Sequence, residues 1–276
     1  MRILLCFVLG LSIFGCRKIG TRKIHSFPHS DAVLSSEFTF LNWNIQKGAN
    51  EDFGEVIREI IETSHPDIVF FQEAKANLFP GEEMGAYFAE SWQYPWPTGE
   101  IIGVLTASRV PPHSTHRIQT EGREFYITAP KVSLASVYPL SGGRELLALN
   151  VHLLNFEKGS AKWFARQLMD LAEVMEDHTG PVLWAGDFNT WNPKRLTMVL
   201  ELAGELGLTE VSGFPEGRKT GDQGHGGFNK VLGVDASLPL DRVFYRGLQP
   251  IEADVLAIEA SDHRPLWIRF AVNSGE

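Results

Sequence analysis

Asp67-Ile68-Val69-Phe70-Phe71-Gln72-Glu73 is the stretch that decides the fold. Its apolar run is short, unbroken and rich in β-formers, as expected of a strand covered on both faces. Such a strand needs a layer on each side of its sheet. Working upstream, Phe38 to Ile45 alternates as a strand, with Phe38, Phe40 and Ile45 apolar. Between the two, Asp52 opens a helix-period segment that sets Phe53, Val56, Ile57, Ile60 and Ile61 on one stripe. Downstream, Ile101 to Leu105 reads as a second buried strand. Lys131 to Tyr138 and Glu145 to His152 flank Ser141-Gly142-Gly143-Arg144 as a hairpin. An amphipathic helix follows, with Phe164, Leu168, Leu171 and Met175 on one face. Pro181 to Ala185 reads as a strand, and Asn192 caps a helix with Pro193 in its first turn. Residues 213 to 239 are rich in Gly, Asp and Lys and show no period; strands at Leu240 to Tyr245 and Pro265 to Phe270 close the chain. Strands alternating with helices, plus a hairpin, predict an α/β sandwich of mixed sheets covered by helices.

Composition narrows the class. With 43% hydrophobic and 11% aromatic residues in 276, the chain packs a core and is not disordered. A formal net charge of −9 counts against a duplex-DNA binder that relies on neutralising phosphates, though it does not exclude a nuclease, because a metal site needs carboxylates. The only cysteines are Cys6 and Cys16. The chain beyond them can therefore form no internal disulfide and no cysteine-ligated zinc or iron–sulfur centre.

The first residues read as an address. Met1-Arg2, the apolar run Ile3 to Phe14 and then Gly15-Cys16 have the shape of a secretory signal, too short for an easy transmembrane span. Ser12-Ile13-Phe14-Gly15-Cys16 resembles a bacterial lipobox, in which the cysteine is diacylated and becomes the new N-terminus. Phe14 is bulkier than that pattern carries, so an uncleaved anchor or plain secretion stays open. The expected organisation is a signal over 1–15, a tether over 16–36 and one catalytic domain over 37–276. In the tether, Arg17, Lys18, Arg22 and Lys23 are either partners for anionic headgroups or part of a solvated linker. The chain is then exported, as a membrane-anchored envelope lipoprotein or as a secreted protein, and is expected to be a monomer.

Polar residues recur at strand ends. Asn44 ends the first strand, Gln72-Glu73 the second and Asn150-Val151-His152 the hairpin. Gly186-Asp187-Phe188-Asn189 precedes the proline-capped helix, Asp241 begins the next strand, and Ser261-Asp262-His263 precedes the last. Each alone has a structural explanation as a turn, a cap or a surface pair. Six strand ends offering carboxylate, amide or imidazole together are how an α/β protein builds a site at one rim of its sheets.

The ordered set Asn-Trp-Asn-Ile (42–45), Asp-Ile-Val-Phe-Phe-Gln-Glu (67–73), Asn-Val-His-Leu (150–153), Gly-Asp-Phe-Asn (186–189), Leu-Asp-Arg-Val-Phe (240–244) and Ser-Asp-His-Arg-Pro-Leu (261–266) resembles the endonuclease/exonuclease/phosphatase (DNase I-like) superfamily. The likeness covers nearly everything after residue 38. Val-Tyr-Pro-Leu (137–140), His-Leu-Leu-Asn-Phe (152–156) and Phe-Tyr-Arg-Gly-Leu (244–248) most resemble its YafD-like bacterial branch. The resemblance implies a four-layered sandwich: two packed mixed β-sheets flanked by helices.

Chemistry suggests the roles. Glu73, Asp262 and the amide oxygen of Asn44 are hard oxygen ligands suited to Mg²⁺ or Mn²⁺ and not to zinc. Asp187 is the candidate to orient or deprotonate the attacking water, with Asn189 fixing its geometry. His263 is placed near a non-bridging or leaving oxygen, its ring held by Asp241, and His152 as a donor to the phosphoryl oxygens. Which of Asp262 and Asp241 faces the metal is decided by the family pattern alone. Lys47, Arg109, Trp191 and His225 are weaker candidates for substrate contact. The reading is in-line hydrolysis of a phosphodiester or phosphomonoester by water at a divalent metal. Members of the superfamily cut DNA, RNA, sphingomyelin, phosphoinositides and small nucleotide-like molecules, so a metal-dependent nuclease is the alternative. A non-catalytic surface lipoprotein that binds a partner is the rival from another class.

Overall fold

A computed structural model describes residues 20–48, 53–91, 101–123, 130–157, 161–215 and 239–274. In chain order these residues form strands β1 (Thr21–His25) and β2 (Glu37–Asn44), helix α1 (Phe53–Ser64), and strands β3 (Ile68–Lys75), β4 (Gly85–Glu90), β5 (Ile102–Ser108) and β6 (Ser114–Arg123). Strands β7 (Pro130–Pro139) and β8 (Glu145–His152), helix α2 (Lys162–Glu176), strand β9 (Val182–Asp187) and helix α3 (Pro193–Glu205) follow. Strands β10 (Thr209–Glu210), β11 (Asp241–Arg246), β12 (Leu248–Val255) and β13 (Leu266–Val272) complete the described chain.

The strands make two mixed sheets, one ordered β1-β4-β5-β3-β2-β13-β12 and the other β10-β11-β9-β8-β7-β6. Within each, one pair is parallel, β2 with β3 and β8 with β9, because α1 and α2 carry the chain back between them. The expected buried strand is β3. Ile68 and Phe70 point into the core between the sheets, with Phe38, Phe40, Ala148, Leu183 and Phe270. Val69 and Phe71 point outward under α1, against Trp43, Ile57 and Ile60. On the far side Phe164, Leu168, Leu171 and Met175 seat α2 on Leu149, Val182 and Trp184. The layers therefore run helix, sheet, sheet, helices, as expected. Asn192 caps α3, its side chain accepting from the Arg195 amide at 3.0 Å, with Pro193 in the first turn.

The N-terminal boundary needs correction. Residues 16–36 were expected to be a tether, yet β1 pairs antiparallel with β4 and closes one edge of the larger sheet. Leu34 is buried, and its amide donates to the Pro139 carbonyl at 2.8 Å. The folded unit thus begins by Thr21 and not at 37. An edge strand needs only its backbone, so a polar sequence suffices. Its cations are engaged too: Arg22 reaches Glu90 at 3.4 Å, and Lys23 lies over the Phe27 ring. Cys6, Cys16, the signal segment, Arg17 and Lys18 lie outside the described residues, as does Asp52. Among the described residues, no helix is long and apolar enough to cross a membrane.

Candidate active site

Both parallel crossovers deliver polar side chains to the same rim. Asn44 ends β2, Glu73 sits in an irregularity of β3, and His152 and Asp187 end β8 and β9 directly opposite each other. Asp241, at the start of β11, is Asp187's partner on the other side. Asp262 and His263 lie just before β13, where the Trp43 indole donates to the His263 carbonyl at 2.8 Å.

Asp187 is the centre. Its Oδ2 accepts from Asn44 Nδ2 at 2.8 Å, and its Oδ1 from the Asn189 backbone amide at 3.0 Å. Asn189 Nδ2 in turn donates to the Leu153 carbonyl at 2.9 Å. His152 Nε2 stands 3.6 Å from Asp187 Oδ2 and 3.9 Å from Glu73 Oε1. His263 Nδ1 is 2.6 Å from Asp241 Oδ2, and its Nε2 is 4.0 Å from Asp262 Oδ1. The Ser261 hydroxyl closes the ring by donating to the Asn44 carbonyl at 2.8 Å. All eight expected residues meet here. Asn44 differs from expectation in its contacts: its Oδ1 accepts from the Gln46 amide and its Nδ2 holds Asp187, so it serves first as an orienter of that carboxylate.

The local backbone shows what this arrangement costs. Gln46, Lys47, Glu73 and Asn189 all have positive φ, four of the six such non-glycine residues among those described, so strain collects at the site. Gly186 has φ 148°, and a Cβ there would lie 1.9 Å from the Val151 carbonyl oxygen. Only glycine lets β9 bring Asp187 this close to β8. Behind the rim, Gln72 Nε2 donates to Asn42 Oδ1 at 2.9 Å and Asn150 Oδ1 at 2.8 Å, tying both sheets together beneath the site.

Burial and charge set the protonation states. Burial pushes the Asp187 carboxyl up to about 6; Asp241 adds to this, while His263 opposes it. For His263, burial alone would lower the imidazole, but the charge and hydrogen bond of Asp241 override it and push it up to about 10. Burial drives His152 well below its ordinary value, and Lys131, His263 and Lys47 push the same way. A neutral His152, a charged His263 and a carboxylate poised near neutrality share one rim.

Two lysines enter. Lys47 Nζ lies 3.6 Å from Glu73 Oε2, so this weaker candidate does reach the site. Lys131, which nothing in the sequence singled out, places Nζ 2.9 Å from His152 Nε2. An ammonium only donates, so His152 Nε2 accepts here, and the charged donor facing the site is Lys131 where His152 had been expected. A lone lysine at a strand start carries no sequence signal for this. Trp191 sits at the edge, stacked on Arg195 and donating to the Asn155 carbonyl at 2.9 Å. Arg109 stays away from the site, bound to Glu83 and the Pro66 carbonyl. His225 lies outside the described residues.

Glu73 and Asp262 are the side chains that would hold a divalent ion. Most site residues are buried, but the Glu73 and Asp262 side chains keep 22% and 24% of their surface, hard oxygens at the mouth. Among the described residues no group of three acidic, histidine or cysteine side chains forms a ready metal cage. Two carboxylates, with substrate oxygens and water completing the sphere, suit Mg²⁺ better than an ion that needs a full protein cage.

The family model described as Endonuclease/Exonuclease/phosphatase family matches residues 41–263. The chain belongs to this family. A UPF0294 protein of Vibrio cholerae serotype O1 is 32% identical over 252 residues, spanning 89% of this chain and 82% of that protein. Among solved structures, an endonuclease/exonuclease/phosphatase from Bacteroides vulgatus has a TM-score of 0.64 at 14% identity, covering 86% of this chain and 99% of its own. The Neisseria 3′ phosphatase NExo, solved with a product DNA hairpin, has a TM-score of 0.58 at 19% identity, covering 84% and 98%. At these identities the likeness is one of fold. Family members fold as two mixed sheets under helices, the DNase I-like arrangement seen here, and the neighbours include phosphatases and nucleases.

Proposed function

We propose that this family member is a divalent-metal-dependent phosphoesterase in which Asp187 takes the proton of the attacking water. The observation that carries the reading is the convergence on Asp187 of Asn44, Asn189 and His152, beside the His263–Asp241 pair. Both Asp187 oxygens are fixed by N–H donors, and a carboxyl pushed up to about 6 accepts a proton near neutrality yet releases it readily. As the water oxygen bonds to phosphorus and the ester P–O bond breaks, the water proton passes to Asp187. His263 stays protonated and presents charge and an N–H to the oxygens where negative charge grows. Asp241 fixes its tautomer and offsets its charge. Lys131, held by His152, and Lys47 add positive charge toward a phosphate. Glu73 and Asp262 would hold Mg²⁺ or Mn²⁺, which would supply positive charge to a phosphate oxygen.

The net charge of −9 supports a lipid or small phosphoester over a nucleic acid, and a lipid anchor at Cys16 would place the site beside a membrane. The test is a panel with the full-length protein and Mg²⁺ or Mn²⁺: plasmid DNA, single-stranded DNA, RNA, sphingomyelin, phosphoinositides and a chromogenic diester. Asp187→Ala and His263→Ala each lower the rate at least about 100-fold, as loss of an acid–base group does. Equal rates in wild type and both variants would end the assignment. Inactivity on the whole panel would leave the binding-module reading in its place. For the anchor, labelled palmitate enters the wild type and not Cys16→Ser; label in neither protein removes the lipoprotein reading.

A further inference from the structure

The outer layer formed by α2 and α3 carries a feature the active site does not use. The helices seat their apolar stripes on the smaller sheet but part on the solvent side, leaving a groove of about 490 Å³. None of its lining residues belongs to the catalytic rim. Leu168 and Ala172 form its buried floor, with Met198 and Leu202 half-buried beside them. Met169 stands on its wall with 62% of its surface exposed.

The rim has one sign. Asp170, Glu173 and Glu176 come from α2, and Glu201 and Glu205 from α3. The single cation in the lining is Arg166, already bound to Asp170 at 2.9 Å. Among the described residues no cation pairs with Glu173, Glu176, Glu201 or Glu205. Burial pushes the Asp170 carboxyl up against the pull of Arg166, and Glu121 and Glu173 push it the same way, so the carboxylates already crowd one another.

We infer that this groove is a docking site for a cationic amphipathic helix of a partner protein, its apolar stripe laid over Met169, Met198 and Leu202 and its basic residues facing the carboxylate rim. Methionines along a groove adapt to varied apolar shapes, and a trough between two helices takes a third by its i, i+3, i+4 side chains. The negative charge of the rim repels the other occupants. An anionic membrane surface would be repelled. A second copy would bring acid against acid, since the chain carries −9 overall.

The experiment uses the full-length protein and a fluorescein-labelled synthetic helix bearing a leucine stripe flanked by lysines, read by fluorescence anisotropy. A peptide with glutamate in place of every lysine is the counterpart. Wild type binds the lysine peptide and not the glutamate one. Met169→Lys, and Glu173→Lys combined with Glu201→Lys, each weaken binding at least about tenfold. Glu59→Lys with Glu62→Lys, the same charge change on exposed positions of α1, leaves affinity within about twofold. All variants keep the wild-type circular dichroism spectrum, because every substituted side chain is exposed. Equal binding of both peptides, equal loss in the α1 control, or no loss in the groove variants overturns the inference. So does a wild-type dimer in sedimentation that Met169→Lys dissolves, since a second copy would then own the groove.

Discussion

Nζ of Lys131 lies 2.9 Å from Nε2 of His152, at the floor of the rim that also holds Asp187 and Glu73. Burial keeps the imidazole neutral, so the contact turns His152 into a fixed acceptor that aims an ammonium into the site. Lys131→Met should lower kcat by about 100- to 1000-fold without moving the thermal midpoint much, as loss of one transition-state stabilising donor does. Lys131→Arg should recover part of it. An unchanged kcat in Lys131→Met would remove this residue from the chemistry.

The rate should follow a bell in pH. Asp187 accepts a proton only when ionised and is pushed up to about 6, so kcat/KM climbs as pH rises through that value. His263 acts only while protonated, up to about 10, so the rate falls as pH passes it. Added Mg²⁺ favours the ionised carboxylate and moves the acid limb lower. Asp241→Asn brings the alkaline limb down toward an ordinary histidine. A profile flat from acid to strong alkali would contradict both roles.

The same pair stabilises the fold. His263 titrates at about 10 when folded and near 6.5 otherwise, so its contribution is complete below pH 6.5 and fades as pH rises toward 10. Asp241→Asn leaves a buried imidazole without its carboxylate and should cost about 3 kcal/mol near neutral pH. Its melting temperature should also vary less than that of wild type between those two pH values. Parallel curves for the two proteins would refute the linkage.

Gly186→Ala forces a Cβ to 1.9 Å from a backbone carbonyl of the neighbouring strand. The strand must move, which should cost more than about 2 kcal/mol and displace Asp187. Urea midpoint and kcat fall together. A variant as stable and active as wild type would show that β9 tolerates the shift.

The corrected boundary can be measured by truncation. Removing residues 1–19 leaves β1 and Leu34 in place, whereas removing 1–36 strips the edge strand from β4 and opens the core at Leu34. The shorter protein should melt several degrees lower, a drop of about 2–4 °C for each kcal/mol lost. Equal melting temperatures would restore the tether reading.

Central strands were legible because burial on two faces leaves little choice of residue; Ile68 to Phe71 cannot be anything exposed. Edge strands were not. β1, β6 and β12 mix polar and apolar residues, since one side of each meets no neighbouring strand, and their pairing depends on backbone groups that every sequence shares. The site divides in the same way. Asp187, Glu73, Asp262 and His263 stood out because carboxylates and imidazoles have no packing reason to recur at strand ends.

The sequence by itself determined the layers and the set of reactive groups, because hydrophobic period and strand-end chemistry are local properties of the chain. Tertiary structure alone decided who faces whom. Asn44 turned its amide to Asp187, Lys131 met His152, burial raised the Asp187 carboxyl, and Asp241 raised the His263 imidazole against its burial. Those outcomes depend on distance and solvent exclusion across strands far apart in sequence, and no run of residues encodes either one.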